Sequence, residues 1–250
     1  LNLANNDPDT LIYSGAPVDP LTRPIELSNG WNWIGYLPQV SLPINEALAT
    51  IDGSGIYIKS QAGFSDYYSG FGWFGAVELM DPLNGYQLNM SQADVLTYPS
   101  GSSFSRIESS GNSEMHSQLN DFDYRKYEFN GSITADAIDI ESFSADDMLI
   151  AIVDGEYRGY ANPVYFPLTD EYIFQLMIYS SLLDGEEVSF KYYSSSDDKY
   201  YNMEEIVNFT ADMIIGNGLN PYPLSGSFNE LVEGLSIGSA YPNPFNPVTN

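Results

Sequence analysis

Turn dipeptides spread along the chain constrain its fold more than any other feature. Asn29-Gly30, Asn84-Gly85, Asn130-Gly131, Asp154-Gly155 and Asp184-Gly185 each put glycine after a short polar residue. Such pairs supply the positive φ that tight connections demand, and here they punctuate short apolar and aromatic segments. Trp31-Asn32-Trp33-Ile34-Gly35-Tyr36 alternates large rings with small or polar residues, the strand period. Further strands are expected over residues 56–60, 72–77, 85–90 and 95–98. One short helix interrupts them. Ser41-Leu42-Pro43 opens it, Ile44, Leu48 and Ile51 recur at helical spacing, and Asp52-Gly53-Ser54-Gly55 stops it.

The second half repeats the logic. Tyr127, Phe129, Ile133 and the alternation Ile138-Asp139-Ile140 read as strand around Asn130-Gly131, and the apolar run 148–153 reads as a buried strand. Asp154-Gly155 turns that run into 156–160, residues 172–179 form another strand, and Asp184-Gly185 turns into 188–193. A polar hairpin loop, Ser194 to Asp198, precedes a closing strand over 207–210. The expected fold class is therefore mainly β: two antiparallel β-rich modules, the first with one short helix and the second a β-sandwich. Composition shifts set the boundaries. Residues 1–24 are an extended, proline-broken arm, 25–99 the first module, 100–120 a Ser/Gly/Asn linker, 121–224 the second module, and 225–250 a linker and tail.

Charge narrows the partners. Eight Lys and Arg stand against 34 Asp and Glu, a net −26, which repels nucleic acid and anionic lipid surfaces. Two readings of the acids stay open: a solvated acidic surface, or calcium sites. Without cysteine there is no disulfide, thiolate nucleophile or thiolate metal site. No apolar run approaches the roughly 20 residues of a membrane helix, so membrane insertion is not expected. Leu1 opens the chain without a basic or apolar leader, and we expect a mature fragment, the C-terminal part of something longer.

Few residues offer chemistry. His116, the one histidine, falls in the linker, where no scaffold holds an imidazole against partners. Asp146, Asp147, Asp154 and Glu156 are carboxylates of glycosidase type, but adjacent acids on an extended chain point apart. Calcium is the one cofactor with a motive, through Asp146, Asp147, Asp154, Asp197 and Asp198, although no Asp-x-Asp-x-Asp-Gly loop is present. Tyr67, Tyr68, Phe71 and Trp73 cluster among Gly63, Gly70, Gly72 and Gly75 and read as rings on a glycine-rich loop, able to meet a partner or a glycan. Trp73 also fits a strand facing the core, as do Trp31 and Trp33. Tyr193 and Tyr200 flank the polar hairpin; the pairs Tyr192-Tyr193 and Tyr200-Tyr201 should each put one ring inside and one outside.

The tail carries a resemblance. Tyr241-Pro242-Asn243-Pro244-Phe245-Asn246-Pro247, followed by Val248-Thr249, fixes φ repeatedly and is similar to the opening of the C-terminal sorting domain of the bacterial type IX secretion system. That resemblance implies export across the outer membrane, with anchoring or release at the cell surface. Gly30-Trp31-Asn32-Trp33-Ile34-Gly35-Tyr36, Glu46-Ala47-Leu48-Ala49, Ile58-Lys59-Ser60-Gln61, Tyr67-Tyr68, Gly72-Trp73 and Gly85-Tyr86 resemble a module of large surface proteins from marine bacteria with the same tail. Residues 143–159 and Tyr165-Phe166-Pro167 resemble a second module of that group. Neither brings an activity. The resulting expectation is a non-catalytic protein, extracellular or on the outer bacterial surface, working by adhesion or by self-assembly into a filament or array. Terminal arms and β-edges would join copies of the chain, or bind other cell-surface components. The alternative is a glycan-binding accessory module of an exported enzyme.

Overall fold

A computed structural model describes residues 15–16, 18–100, 122–137, 140 and 142–226. The arm through residue 14, His116 with its linker, Ile138-Asp139, and the tail from 227 with the sorting motif lie outside the described residues.

The first module holds β1 (Ile25–Leu27), β2 (Gly30–Gly35), β3 (Leu42–Pro43), α1 (Ile44–Ala47), β4 (Gly55–Lys59), β5 (Phe64–Tyr68), β6 (Gly72–Gly75), β7 (Leu79–Met80), β8 (Gly85–Met90) and β9 (Asp94–Leu96). Five strands form one antiparallel sheet in the order β2-β8-β4-β5-β6, while β1 pairs with β9 and β3 with β7. The expected helix is a single α-turn continued by a 3-10 turn over Ala49–Ile51; Ile44, Leu48 and Ile51 are all buried. They pack with Ile34, Ile58, Trp73, Leu88 and Leu96 against the sheet's inner face.

Two expectations fail here. Asn29-Gly30 turns with Gly30 at φ +84°, yet it makes no hairpin, because β1 and β2 leave for different sheets. Side chains take over from the ladder: Asn32 Oδ1 accepts from the Ser28 amide and its Nδ2 donates to Ser28 O. Trp31 and Trp33 are not core residues. The other face of β2 supplies the core through Ile34, so both indoles stand on the outer face, 41% and 80% exposed.

The second module begins at β10 (Phe129–Ala137) and continues through β11 (Met148–Val153), β12 (Glu156–Ala161), β13 (Pro163–Phe166), β14 (Glu171–Ser180), β15 (Asp184–Ser194), β16 (Lys199–Thr210), β17 (Ile214–Ile215) and β18 (Tyr222–Leu224). One sheet runs β13-β14-β10-β17, with β18 also on β10; the other runs β12-β11-β15-β16. Their facing sides share Ile133, Leu149, Phe174, Leu176, Val188 and Phe190, which makes a β-sandwich core. Pairing is antiparallel except that β17 and β18 run parallel to β10. Asp154 and Gly155, at φ +50° and +82°, form the expected two-residue turn.

Asn130-Gly131 is not a turn but lies within β10. A Cβ there would sit 2.6 Å from Met213 Cγ, so any larger residue would displace the Met213 side chain where the 210–213 turn crosses the strand. Tyr192 and Tyr193 do face opposite ways, yet both are buried, since this sheet is covered on each side.

Candidate functional site: the module junction

On the five-stranded sheet, Phe64, Asp66 and Tyr68 of β5 alternate outward, level with Tyr57 and Lys59 of β4 and Phe74 of β6. The second module lies on this half of the outer face. Tyr57 Oη donates to Ser132 Oγ at 2.7 Å, Tyr179 Oη to Gln61 O at 2.8 Å, and the Gly218 amide donates to Tyr68 Oη at 2.7 Å. Apolar contact fills the space between these bonds: Phe166 packs at 4.9 Å on both Tyr68 and Phe74, and Tyr57 and Phe64 cluster with Met177 and Tyr179. The two modules meet through an apolar face crossed by hydrogen bonds.

Lys59 closes the rim of that face. It is only 4% exposed, and its Nζ donates to Asn130 Oδ1 at 2.9 Å and to Asp212 Oδ1 at 2.5 Å. The ammonium also lies 5.6 Å from the Trp31 ring. Asp66 is the discordant member. Buried, with Oδ2 lacking a hydrogen-bond partner among the described residues, its carboxyl is pushed up to about 7 by desolvation.

The remaining outer face, on β2 and β8, stays open. There the sheet and the second module bound a groove of about 470 Å³. Its floor is Trp33, cross-strand from Gln87, with Gln61 beside them; Asn130 and Asp212 rise from the second module, and Tyr127 forms the wall. The wall is held from behind, because the Arg158 guanidinium lies 4.9 Å over the Tyr127 ring and pairs with Glu186 at 3.1 Å. A groove of this size suits a small ligand or one segment of a polymer. A second, acid-lined cavity of about 620 Å³ lies beside Asp136, Asp170 and Glu171.

The rings singled out by sequence are scattered. Tyr67 and Tyr68 lie on strand β5, not on a loop. Tyr68 is sealed in the junction, Trp73 is in the first core, and Tyr67 packs edge-on against Trp73 while donating to Asp52 Oδ1 at 2.5 Å. Phe71 alone of that group is exposed, at the β5–β6 turn. Tyr193 is buried and Tyr200 is exposed, a cross-strand pair with ring centroids 4.9 Å apart. Trp33, the ring that reaches a groove, was assigned to the core by sequence. The signal that would have found it is the apolar character of Ile34 and Tyr36, both beyond Trp33 and on the opposite face of the strand.

The five aspartates expected to hold calcium have separate duties. Asp147 is an anchor: Oδ2 accepts from the Ser144 amide and Tyr192 Oη, and Oδ1 from the Ser195 amide and Oγ. Burial alone would raise its carboxyl, but these bonds outweigh it and hold Asp147 below the usual carboxylate range. All four lone-pair positions are thereby taken. Asp197 accepts from Ser194 and Tyr201, Asp198 from Tyr193, and Asp146 and Asp154 are exposed in turns. Among the described residues no three Asp, Glu or His side chains come together as a group able to hold a metal ion. No helix among them is long and apolar enough to cross a membrane. No family model matches the chain, and neither the curated proteins nor the solved structures contain a match to it.

Proposed function

We propose that the chain is an exported, non-catalytic recognition protein that adheres to material of the bacterial outer surface through its junction groove. The observation that carries this reading is the bonding around Lys59, Tyr57, Tyr68 and Tyr179, which ties both walls of the groove into one body. A site whose walls are already fixed loses little freedom when it binds. Export is supported by the resemblance of residues 241–247 to a sorting signal, and the strongly acidic composition disfavours nucleic acid and anionic lipid.

Sedimentation of the purified chain with outer-envelope fragments tests the proposal. Retention should be lost in Trp33→Ala and kept in Phe71→Ala, both variants unfolding like the parent because both rings are exposed. Equal retention of the two variants overturns recognition through the groove, and turnover of the bound material overturns its non-catalytic character.

A second reading is self-assembly. It draws on β16, twelve residues long and at the outer position of its sheet among the described residues, where Met203–Gly226 and Glu204 N–Ser225 O show that the edge accepts a further segment. Light scattering after size exclusion tests it; monomer at every concentration excludes it.

A further inference from the structure

We propose that the junction groove binds a neutral saccharide, with the Trp33 indole stacking on the face of a pyranose ring and Gln61, Gln87 and Asn130 exchanging hydrogen bonds with its hydroxyls. The inference rests on the reading of the groove as a recognition site and names its ligand class.

Three features of the groove select that class. The first is the platform. Trp33 is 80% exposed, yet it stands on a strand paired residue by residue with β8, so its backbone is held while the ring face meets solvent. A flat apolar face beside polar groups matches a sugar ring, whose C–H bonds lie on its faces and whose hydroxyls point outward. The second is the polar lining. Side-chain amides each carry donors and an acceptor, as hydroxyl groups do, so three of them can satisfy a polyhydroxylated ring in either sense.

The third is charge. Lys59 is the cation of the floor, and Asp212 already neutralises it, while Glu128 adds negative charge to the lining. Phosphate, sulfate or uronate groups would therefore meet carboxylates with no free cation among the lining residues. A cationic ligand fares little better. It would approach the buried Lys59 ammonium, already placed over Trp31 and paired with Asp212, the carboxylate that would otherwise receive it. An uncharged, hydroxyl-rich ligand meets neither penalty.

The test uses the intact chain. Affinity electrophoresis through neutral polysaccharides (a β-glucan, a mannan, a xylan and an α-glucan) should show retardation in at least one. Titration with the matching oligosaccharide should change the tryptophan emission. Trp33→Ala should weaken binding at least about tenfold, the loss expected for a stacked ring. Trp33→Phe should recover part of it, and Phe71→Ala should bind like the parent. Failure of every neutral polymer to bind, or an affinity unchanged in Trp33→Ala, overturns the saccharide assignment. If envelope fragments still bind in a Trp33-dependent way, and protease but not periodate destroys their receptor, recognition stands and the ligand class falls. If Trp33→Ala binds those fragments as well as the parent, the recognition reading itself falls.

Discussion

Tyr68 and Gly218 belong to different modules, yet the Gly218 amide donates to the Tyr68 hydroxyl at 2.7 Å inside the junction. The same glycine has no room for a side chain: a Cβ would lie 2.7 Å from that oxygen and 2.7 Å from Phe166 Cε1. Two separate constraints meet at one residue, so the modules should unfold together. Gly218→Ala forces the ring contacts apart and should split a single urea transition into two. Tyr68→Phe leaves the amide buried and unpaired, at a cost of about 1–3 kcal/mol, with one transition retained. Two transitions already present in the parent protein would show that the modules are energetically independent.

Asp66 makes the junction sensitive to pH. Its carboxyl titrates at about 7 in the folded protein, against 3.8 in the unfolded chain. Below the unfolded value both states are protonated and burial of the group carries no ionisation penalty. Between the two values the native state retains a proton that the unfolded state releases, so stability falls as pH rises. Above about 7 the penalty is complete, on the order of 4 kcal/mol. Urea midpoints at pH 5 and pH 8 should therefore differ, and Asp66→Asn, which cannot ionise, should remove most of the difference. An equal drop in both proteins would assign the pH dependence to other groups.

Strand positions were legible where one face is apolar and the other polar, as in β8, whose expected limits match the structure at both ends. Alternation does not say which face is the core, and at β2 that ambiguity inverted the roles of Trp31 and Trp33. The ring-bearing side looked more apolar, but Ile34 and Tyr36 are the residues that pack with Tyr86 and Leu88. β5 was hidden for a different reason. Both of its faces are buried, and polar residues occupy places on each: Ser65 exchanges hydrogen bonds with Val77 N and O, while Asp66 faces the second module. No local pattern distinguishes such a strand from a loop. The groove was beyond the reach of sequence altogether, because Lys59 and Asp212 are separated by 153 positions.

The pair at the groove floor should respond asymmetrically to mutation. Lys59 is 4% exposed and Asp212 58%. Removing the lysine, as in Lys59→Met, leaves a carboxylate that water can solvate and an apolar stem of similar volume, so the loss should stay near 1 kcal/mol. Removing the acid, as in Asp212→Asn, strands a buried ammonium with Asn130 and the Trp31 ring for company, and should cost about 2 kcal/mol or more. Urea denaturation of the two variants measures the order. A larger loss in Lys59→Met would mean that packing of the lysine stem outweighs its charge.

Asp147 ties the start of β11 to the β15–β16 hairpin, and its four hydrogen bonds give the region a pH limit as well as a shape. Its carboxyl is held below the usual range, so its contribution is complete above the unfolded value and disappears as pH falls through the lower folded one. Asp147→Ala leaves the Ser144 and Ser195 amides without an acceptor and should cost at least about 3 kcal/mol at neutral pH. The loss relative to the parent should shrink in acid, because protonation weakens the same bonds. With each oxygen already accepting two donors, Asp147 has no lone pair to offer a cation. Any effect of calcium or chelator on the unfolding temperature at constant ionic strength should therefore be the same in the parent and in Asp147→Asn. A rise with calcium that Asp147→Asn abolishes would mean that a metal, rather than Ser144, Tyr192 and Ser195, is what this carboxylate serves.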